Sequence, residues 1–219
     1  MTENSTPPGK LLVLGAGTFA MEVADLVSDI PGLEVDGFVV SVPPYEPGST
    51  LLGRPIYWVD ELSRFVDSHQ AVCAIVSTKR WQFTKQAAEL GMRFATIVHP
   101  AARVSRMATI ADGTIISAGV MVSTHSEIGR HVILNRGALI GHHVKIHDHA
   151  TISPGANLAG AVTVGRRALV GLGAVVLEKR TIGDLSIVGA GSVVTRDVPE
   201  RVKVMGMPAQ IVEENIEGY

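Results

Sequence analysis

From Val104 to Val194 every sixth residue of this chain is aliphatic, and the series has no interruption. A period of six is neither the 3.6 of an α-helix nor the alternation of a strand, so the repeat indicates a larger structure that turns a corner at every hexad. The sequence therefore predicts a parallel β-helix in which three hexads form one triangular coil. Residues 18 apart should stack vertically, and the aliphatic positions should form three internal ladders in about five coils.

Composition excludes several classes of protein. The 19 basic and 21 acidic residues are nearly balanced, so no nucleic-acid partner and no attraction to anionic membranes is expected. The sequence contains no apolar run long enough to cross a bilayer and no secretory signal, so we expect a cytoplasmic protein with no membrane insertion. The single cysteine, Cys73, lies in an apolar run and is expected to be buried and inert.

The first hundred residues predict a small α/β domain. Lys10–Gly15 has the pattern of a short buried strand, a glycine turn follows, and Met21–Val27 has apolar residues at helical spacing. The further elements expected along the chain are strands at Glu34–Val40, Ala71–Ser77 and Phe94–Val98, a helix at Trp81–Leu90, and a surface loop over 41–54.

A strand, a glycine turn and a helix N-terminus together suit a phosphate group, because the glycines allow close approach and the helix offers unpaired N–H groups. Asp36 lies 19 residues after Gly17, where a dinucleotide site would place its ribose-binding acid. Dinucleotide binding therefore stays open as one interpretation. Against it, the domain is too short for the second mononucleotide-binding half that such sites normally have.

These patterns divide the chain into four parts. Residues 1–8 are expected to be a flexible tail, 9–100 a substrate-binding domain, 101–204 the β-helix and 205–219 a C-terminal tail.

Histidines concentrate in one part of the predicted β-helix. Six of the eight fall within 25 residues: His125, His131, His142, His143, His147 and His149. The 18-residue rule stacks His125 under His143 and His131 under His149, one strand spacing of about 4.8 Å apart. Either they decorate an outward face, or one of them is a general base, since a neutral imidazole accepts protons near pH 7.

Zinc is a further interpretation of this cluster. His142 and His147 have the spacing of the zinc-binding β-helix carbonic anhydrases. The position of the third histidine ligand in that family is Arg106 here, so no metal is expected.

Several segments together resemble the two-domain hexapeptide acyltransferases of the sialic-acid O-acetyltransferase and bacillosamine-pathway nucleotide-sugar N-acetyltransferase type. The segments that carry the resemblance are Gly15–Gly17, Ile97–Ala101, Asn135–His142, Ile152–Gly160, Val188–Val194 and Gly206–Ala209. The resemblance implies a Rossmann-like N-terminal domain, a left-handed β-helix and a homotrimer. It also implies acetyl-CoA as co-substrate, bound along the coils between subunits, and a nucleotide sugar that reaches from the N-terminal domain to a catalytic histidine.

The family's general base corresponds to His142. Asn135 is kept at its family position, and the backbone N–H of Gly160, one coil above the base, is the matched oxyanion donor. Where many relatives have an acid after the base, this chain has His143, which could orient His142 as a neutral acceptor.

The resemblance also assigns two sets of binding residues. The residues expected to contact acyl-CoA are Thr151, which stands where the family has a second histidine, with Gly160, Gly171, Gly173, Gly189, Gly191 and Pro208. The residues expected to contact the nucleotide sugar are Gly15, Gly17, Thr18, Phe19, Val39 and Val40, although a polar turn and an Asp-Asp pair are the family norm there.

The sequence thus predicts an acetyl-CoA-dependent N-acetyltransferase acting directly on an amino sugar of a nucleotide sugar. Acetylation of a sugar hydroxyl is a close alternative, because the same base would activate it. A non-catalytic trimeric scaffold or ligand-binding protein is the alternative of another class, motivated by the altered positions Phe19, Val39, Val40 and Thr151.

Overall fold

The computed structural model describes residues 9–44 and 46–219, so the tail predicted at 1–8 lies outside it. The described residues form two compact units. The first comprises 9–75 and 82–95 without residue 45, and the second comprises 76–81 and 96–219. The second unit therefore includes a short segment, 76–81, that comes from the middle of the first in sequence.

The first unit contains a five-stranded sheet in the order β3-β4-β2-β1-β5. Its elements are β1 (Gly9–Leu14), α1 (Thr18–Ser28), β2 (Leu33–Val40), β3 (Thr50–Leu51), β4 (Arg54–Trp58), a 3₁₀ helix (Val59–Arg64), β5 (His69–Cys73) and α2 (Trp81–Glu89), whose first residue belongs to the second unit. Strand β1 pairs in parallel with β2 and β5, and β2 pairs in parallel with β4.

The predicted strand, glycine turn and helix at the start of the chain are confirmed, and Cys73 is buried as expected. Strand β4 was missed, because Pro55 interrupts its apolar pattern.

The second unit is a parallel β-helix with three faces. Face 1 consists of β7 (Arg103–Val104), β10 (Met121–Val122), β13 (Leu139–Ile140), β16 (Asn157–Leu158), β19 (Val175–Val176) and β22 (Val193–Val194). Face 2 consists of β8 (Thr109–Ile110), β11 (Glu127–Ile128), β14 (Lys145–Ile146), β17 (Thr163–Val164) and β20 (Thr181–Ile182). Face 3 consists of β6 (Ile97–Val98), β9 (Ile115–Ile116), β12 (Ile133–Leu134), β15 (Thr151–Ile152), β18 (Leu169–Val170), β21 (Ile187–Val188), β23 (Val202–Met205) and β24 (Gln210–Glu214).

The predicted 18-residue register is confirmed. Val122 pairs with Val104 and Ile140, Ile128 with Ile110 and Ile146, and Leu134 with Ile116 and Ile152. The aliphatic ladders are buried, apart from Val104 and Ile110 in the first coil, which are partly exposed. Burial of aliphatic side chains along the whole axis is the main source of stability for this unit.

The strand predicted over Phe94–Val98 is only partly correct. Phe94 forms an isolated bridge with Ala71 in the first unit, whereas Ile97 and Val98 pair with β9 at the start of face 3. The C-terminal residues also differ from a simple tail, because β24 pairs antiparallel with β23.

The corners of the coils require a left-handed backbone conformation. Between faces 3 and 1 this position is glycine at Gly119, Gly137, Gly155, Gly173 and Gly191, with φ of 61° to 70°. At the other two corners it is mostly occupied by residues with side chains, although Gly113 lies at one of them. They include His125 and His143 between faces 1 and 2, and His131 and His149 between faces 2 and 3. Histidine is among the residues that tolerate positive φ.

Arg80 fixes the segment 76–81 against the β-helix. Its guanidinium is 2% exposed. It donates to the carbonyl oxygens of His131 (3.0 Å), His149 (2.8 Å) and Ala150 (2.9 Å) and to the Thr151 hydroxyl (3.0 Å). A buried cation is tolerated only when its donors are satisfied, and here the planar fork is matched by backbone acceptors of successive coils.

We expect Arg80→Ala to lower the free energy of unfolding by about 3 kcal/mol or more, because it leaves several buried carbonyl groups without a donor. Urea titration monitored by circular dichroism measures this loss. Lys79→Ala, a change at the exposed neighbouring position, is the control and should be near neutral. Equal stability of the two variants would contradict this role of Arg80.

The His131 and His149 rings stack with centroids 4.8 Å apart. Burial lowers the pKa of His131 to about 4, with the charge of Arg80 adding to the shift. Burial also lowers the pKa of His149 to about 3, assisted by His131 and Arg80. The folded protein therefore keeps both rings neutral at pH values where an unfolded histidine, with a pKa of about 6.5, binds a proton.

Because the unfolded chain binds more protons below pH 6.5, stability should fall as the pH drops from about 7 toward 4. His149→Asn, which retains a residue suited to positive φ, should reduce this acid-induced loss of Tm. Thermal unfolding at pH 7.5, 6, 5 and 4 measures the slope, with His147→Asn at an exposed position as the control. An unchanged slope in His149→Asn would show that another group causes the acid sensitivity.

Candidate active site

The central histidine lies on the corner between faces 1 and 2. Arg106, Thr124, His142 and Gly160 occupy the same position in successive coils, each 18 residues apart. We call this column the His142 corner. The register is fixed by hydrogen bonds from the Ser123 N–H to the Ile140 oxygen and from the Ala159 N–H to the Val176 oxygen.

The His142 imidazole packs directly against Gly160. A Cβ atom added at Gly160 would lie 2.5 Å from both Cε1 and Nε2 of the ring, so any other residue would displace it. Glycine at this position therefore lets the ring of an exposed histidine lie against the backbone of the next coil. Within the described part of the chain, no acceptor bonds the Gly160 N–H.

The other ring nitrogen of His142 is engaged by its neighbour. His142 Nδ1 lies 3.1 Å from His143 Nδ1, and the two rings meet edge to face. One nitrogen must donate and the other accept. With the proton on His142 Nδ1, its Nε2 carries the free lone pair and faces Gly160, which is the tautomer that a general base requires.

His143 is itself held by the coil below. Its ring stacks on that of His125 with a centroid distance of 4.9 Å and an interplanar angle of 8°, as the 18-residue rule predicted. The Thr124 hydroxyl lies 2.8 Å from His125 Nδ1. Three histidines and one threonine thus form a connected group, and no carboxylate takes part in these bonds.

A groove of about 340 Å³ runs along face 3. Four predicted site residues line it: Asn135, Thr151, Gly171 and Gly189. Side chains at Gly171 or Gly189 would collide with the next coil, since an added Cβ would lie 2.7 Å from the Val188 oxygen or from Met205 Cγ. Close coil packing alone requires these glycines, and their lack of side chains also keeps the groove open.

Asn135 and Thr151 are placed in this groove without contacting His142. The Asn135 side-chain oxygen accepts from the Arg136 N–H at 2.7 Å, and strand β13 separates Asn135 from His142. Thr151 is 1% exposed and its hydroxyl accepts from Arg80. Within one chain the predicted catalytic residues therefore lie in two places, with His142 and His143 at one end of β13 and Asn135 at the other.

Four of the residues expected to contact acyl-CoA do not line the groove, and one of them, Gly160, lies at the His142 corner instead. Gly173 and Gly191 are corner glycines with positive φ, and open space surrounds the position of an added Cβ. Backbone conformation explains them without a ligand. Pro208 lies between β23 and β24 and is exposed.

The residues predicted to contact the nucleotide sugar cluster in the first unit. Gly15, with φ of 115°, donates its N–H to the Val39 oxygen at 2.8 Å, which joins the glycine turn to the end of β2. Gly17 and Thr18 are exposed, and Phe19 and Val40 are half-buried. Val39 is fully buried, so a ligand could reach its backbone but not its side chain.

Asp36 does not occupy the position that a dinucleotide site requires. It lies four residues before the end of β2, and its carboxylate accepts a hydrogen bond from His69 Nε2 at 2.9 Å. This hydrogen bond, with the nearby Lys10 and Arg54, holds the pKa of Asp36 below its usual value despite partial burial. Asp36 is therefore part of a polar cluster within the sheet, which argues against the dinucleotide interpretation.

Two features of this region were not predicted from the sequence. Arg80 supports the wall of the groove through Thr151, but a lone arginine before a helix gives no sequence signal. Arg106, considered only as a substitute for a zinc ligand, lines a pocket with Arg103 below His142, and the 18-residue rule already placed it in that column.

Among residues 9–44 and 46–219, no group of three or more His, Cys, Asp or Glu side chains is arranged to hold a metal ion. No helix in the same residues has the length and apolar character needed to span a bilayer.

No protein-family model matches this chain, and no curated protein matches it in sequence. Several solved structures, however, are similar to this chain. A histidine-to-asparagine mutant of perosamine N-acetyltransferase from Caulobacter crescentus, in complex with CoA and GDP-perosamine, is 31% identical with a TM-score of 0.86, over 93% of this chain and 96% of that one.

Two further solved structures are similar to this chain over nearly its whole length. The acetyltransferase domain of PglB from Neisseria gonorrhoeae FA1090, in complex with acetyl coenzyme A, is 30% identical with a TM-score of 0.85, over 94% of this chain and 100% of that one. WeeI from Acinetobacter baumannii AYE is 27% identical with a TM-score of 0.84, over 92% and 99%. Since the identity extends over nearly the whole of both chains, this protein belongs to the hexapeptide-repeat acyltransferase family, among the nucleotide-sugar N-acetyltransferases.

Proposed function

We propose that this protein transfers an acetyl group from acetyl-CoA to the amino group of a nucleotide-linked amino sugar, with His142 as the general base. The observation that carries the proposal is the His142 ring, whose Nδ1 is engaged by His143 while its Nε2 edge lies against Gly160. Structures of relatives with CoA and GDP-perosamine support the two substrates.

The chemistry follows from this geometry. His142 Nε2 removes a proton from the sugar amine as its nitrogen attacks the thioester carbonyl. The Gly160 N–H stabilises the oxyanion that forms. The tetrahedral intermediate then collapses, the carbon–sulfur bond breaks, and the proton on His142 passes to the departing thiolate. Transfer is direct in this proposal, because among the described residues the side-chain hydrogen bond of His142 is to His143 and not to a serine, threonine or cysteine.

The binding regions are assigned in the same proposal. The acyl-CoA arm lies in the groove on face 3, and the nucleotide binds at the turn of a Rossmann-like first unit around Gly15, Gly17, Thr18, Phe19 and Val40. Exposed apolar side chains on face 1, such as Met121 and Leu139, support packing against another subunit. We propose a homotrimer of left-handed β-helices, in which His142 of one subunit faces the groove of a neighbour.

We expect thiol release from acetyl-CoA in the presence of one member of a panel of GDP-, UDP- and dTDP-linked amino sugars. His142→Ala should lower kcat by about 10² to 10⁴ with little change in the Kd for acetyl-CoA, since it removes proton transfer but no acyl-CoA contact. A coupled thiol assay and isothermal titration measure the two quantities.

His147→Ala is the control, because His147 is exposed and lies outside the His142 corner. Full activity in His142→Ala would disprove the assignment of the base. If the protein acetylates only hydroxyl acceptors, the reaction is O-acetylation and not N-acetylation. Absence of both catalysis and CoA binding would favour the non-catalytic scaffold.

His143→Ala should lower kcat about 10- to 100-fold with a smaller effect on KM, because the imidazolium formed during transfer loses its hydrogen-bond acceptor. His143→Asp should recover turnover and move the acidic limb of the kcat–pH profile to higher pH, because a carboxylate stabilises the protonated base. Steady-state kinetics from pH 5.5 to 9 measure both effects.

His125→Ala is the matched control, since it removes the stacked ring but leaves the bond between His142 and His143. If His143→Asp shows the same pH profile as the unmodified protein, His143 does not orient the base.

A further inference from the structure

A second pocket, of about 550 Å³, lies on face 1 in the first two coils of the β-helix. Its lining combines two arginines, Arg103 and Arg106, with the hydroxyl-bearing residues Ser105, Ser123 and Thr124. No residue of this pocket was assigned to a substrate by the family resemblance. The pocket is cationic and rich in hydrogen-bond donors, which suits an anion.

The two arginines are available to a ligand. Both are exposed, and neither forms an ion pair with a carboxylate of the described residues. Several other cations of the β-helix are paired with carboxylates: Arg130 with Asp148 at 3.1 Å, Arg166 with Asp184 at 3.8 Å and Lys145 with Glu127 at 3.2 Å. Guanidinium groups present planar, bidentate donors that match phosphate oxygens.

The pocket shares Arg106 and Thr124 with the His142 corner. Arg106 and Thr124 lie below His142 in the same column, and the Thr124 oxygen accepts from the His143 N–H at 3.0 Å. Successive coils are separated by about 4.8 Å, so the backbone of Arg106 lies roughly 10 Å below that of His142. A sugar ring with its amine at His142 would span about one coil and direct its anomeric substituent at the arginines.

The direction of the acyl donor supports this assignment. Gly160, against which Nε2 of His142 packs, is one coil above the base, Gly171 of the groove lies later in the same coil as Gly160, and Gly189 is one coil higher. The pocket with Arg103 and Arg106 is in lower coils. The donor and the pocket thus lie on opposite sides of the base along the axis of the helix, as an acceptor subsite requires.

We infer that Arg103 and Arg106 bind the diphosphate of the nucleotide-sugar acceptor and thereby set the depth at which its amino group meets His142. This inference rests on the proposed function. CoA also contains a diphosphate, so the experiment must distinguish the two sources.

Arg106→Gln and Arg103→Gln should each raise KM for the nucleotide sugar about tenfold or more, because each removes charge-assisted hydrogen bonds to phosphate. The KM for acetyl-CoA should stay within about twofold, and any fall in kcat should accompany the rise in KM for the nucleotide sugar, because the amino group is then less well placed at His142. Arg106→Lys, which keeps the charge but not the planar fork, should give an intermediate KM. Arg166→Gln removes an equal charge from an exposed ion pair and is the matched control.

Binding of free GDP or UDP, measured by isothermal titration, tests the subsite without catalysis. We expect both glutamine variants to weaken nucleoside diphosphate binding and to leave nucleoside binding unchanged. A raised KM for acetyl-CoA alone would assign the pocket to CoA and overturn the inference. An equal effect of Arg166→Gln would show only long-range attraction, and unchanged KM and Kd in both variants would also overturn it.

Failure of the proposed function has a different signature. If the unmodified protein acetylates no nucleotide-linked amino sugar, the reaction assignment fails. The titration with GDP and UDP then still decides the subsite, since loss of binding in Arg106→Gln supports it and unchanged binding refutes it.

Discussion

The parallel pairing of each coil with the next, at an offset of 18 residues, is the constraint on which the second unit depends. The offset aligns the aliphatic ladders inside and fixes which outward side chains are vertical neighbours. A slip of one residue would turn an aliphatic ladder outward. The buried ladders therefore hold the His142 corner in register. Arg106, Thr124, His142 and Gly160 are aligned by the same burial that stabilises the fold.

The hydrogen bond that orients His142 differs in charge from a bond to a carboxylate. The His142 ring is paired with the imidazole of His143, which is stacked on that of His125. An imidazole that accepts through its lone pair orients its neighbour without the fixed negative charge of a carboxylate. In the proposed reaction, proton transfer depends on both rings having the correct tautomer, which couples His143 to the chemistry at His142.

Much of the second unit could be predicted because its repeat is a property of sequence spacing. The ladders, the coil geometry and the stacking of His125 on His143 follow from counting residues. Arg80 could not be found this way, because its acceptors in the β-helix are mainly backbone oxygens, which have no sequence signature and lie 51 to 70 positions away. The pairing of Ile97 and Val98 with face 3 was not predicted for a related reason. An apolar dipeptide fits the sheet of the first unit as well as it fits the β-helix. At the site, the family resemblance predicts His142 as the base, but the division between the His142 corner and the groove appears only in three dimensions.

The positive φ at the corners narrows the set of amino acids that can orient the base. The backbone at His143 has a φ of 56°, which disfavours β-branched and bulky residues and favours glycine, asparagine, aspartate and histidine. Of these four, asparagine, aspartate and histidine carry a hydrogen-bond acceptor. Exchange between an acid and a histidine at this corner thus stays within what the fold permits. The geometry of a turn, set by coil packing, restricts the chemical alternatives open to the active site.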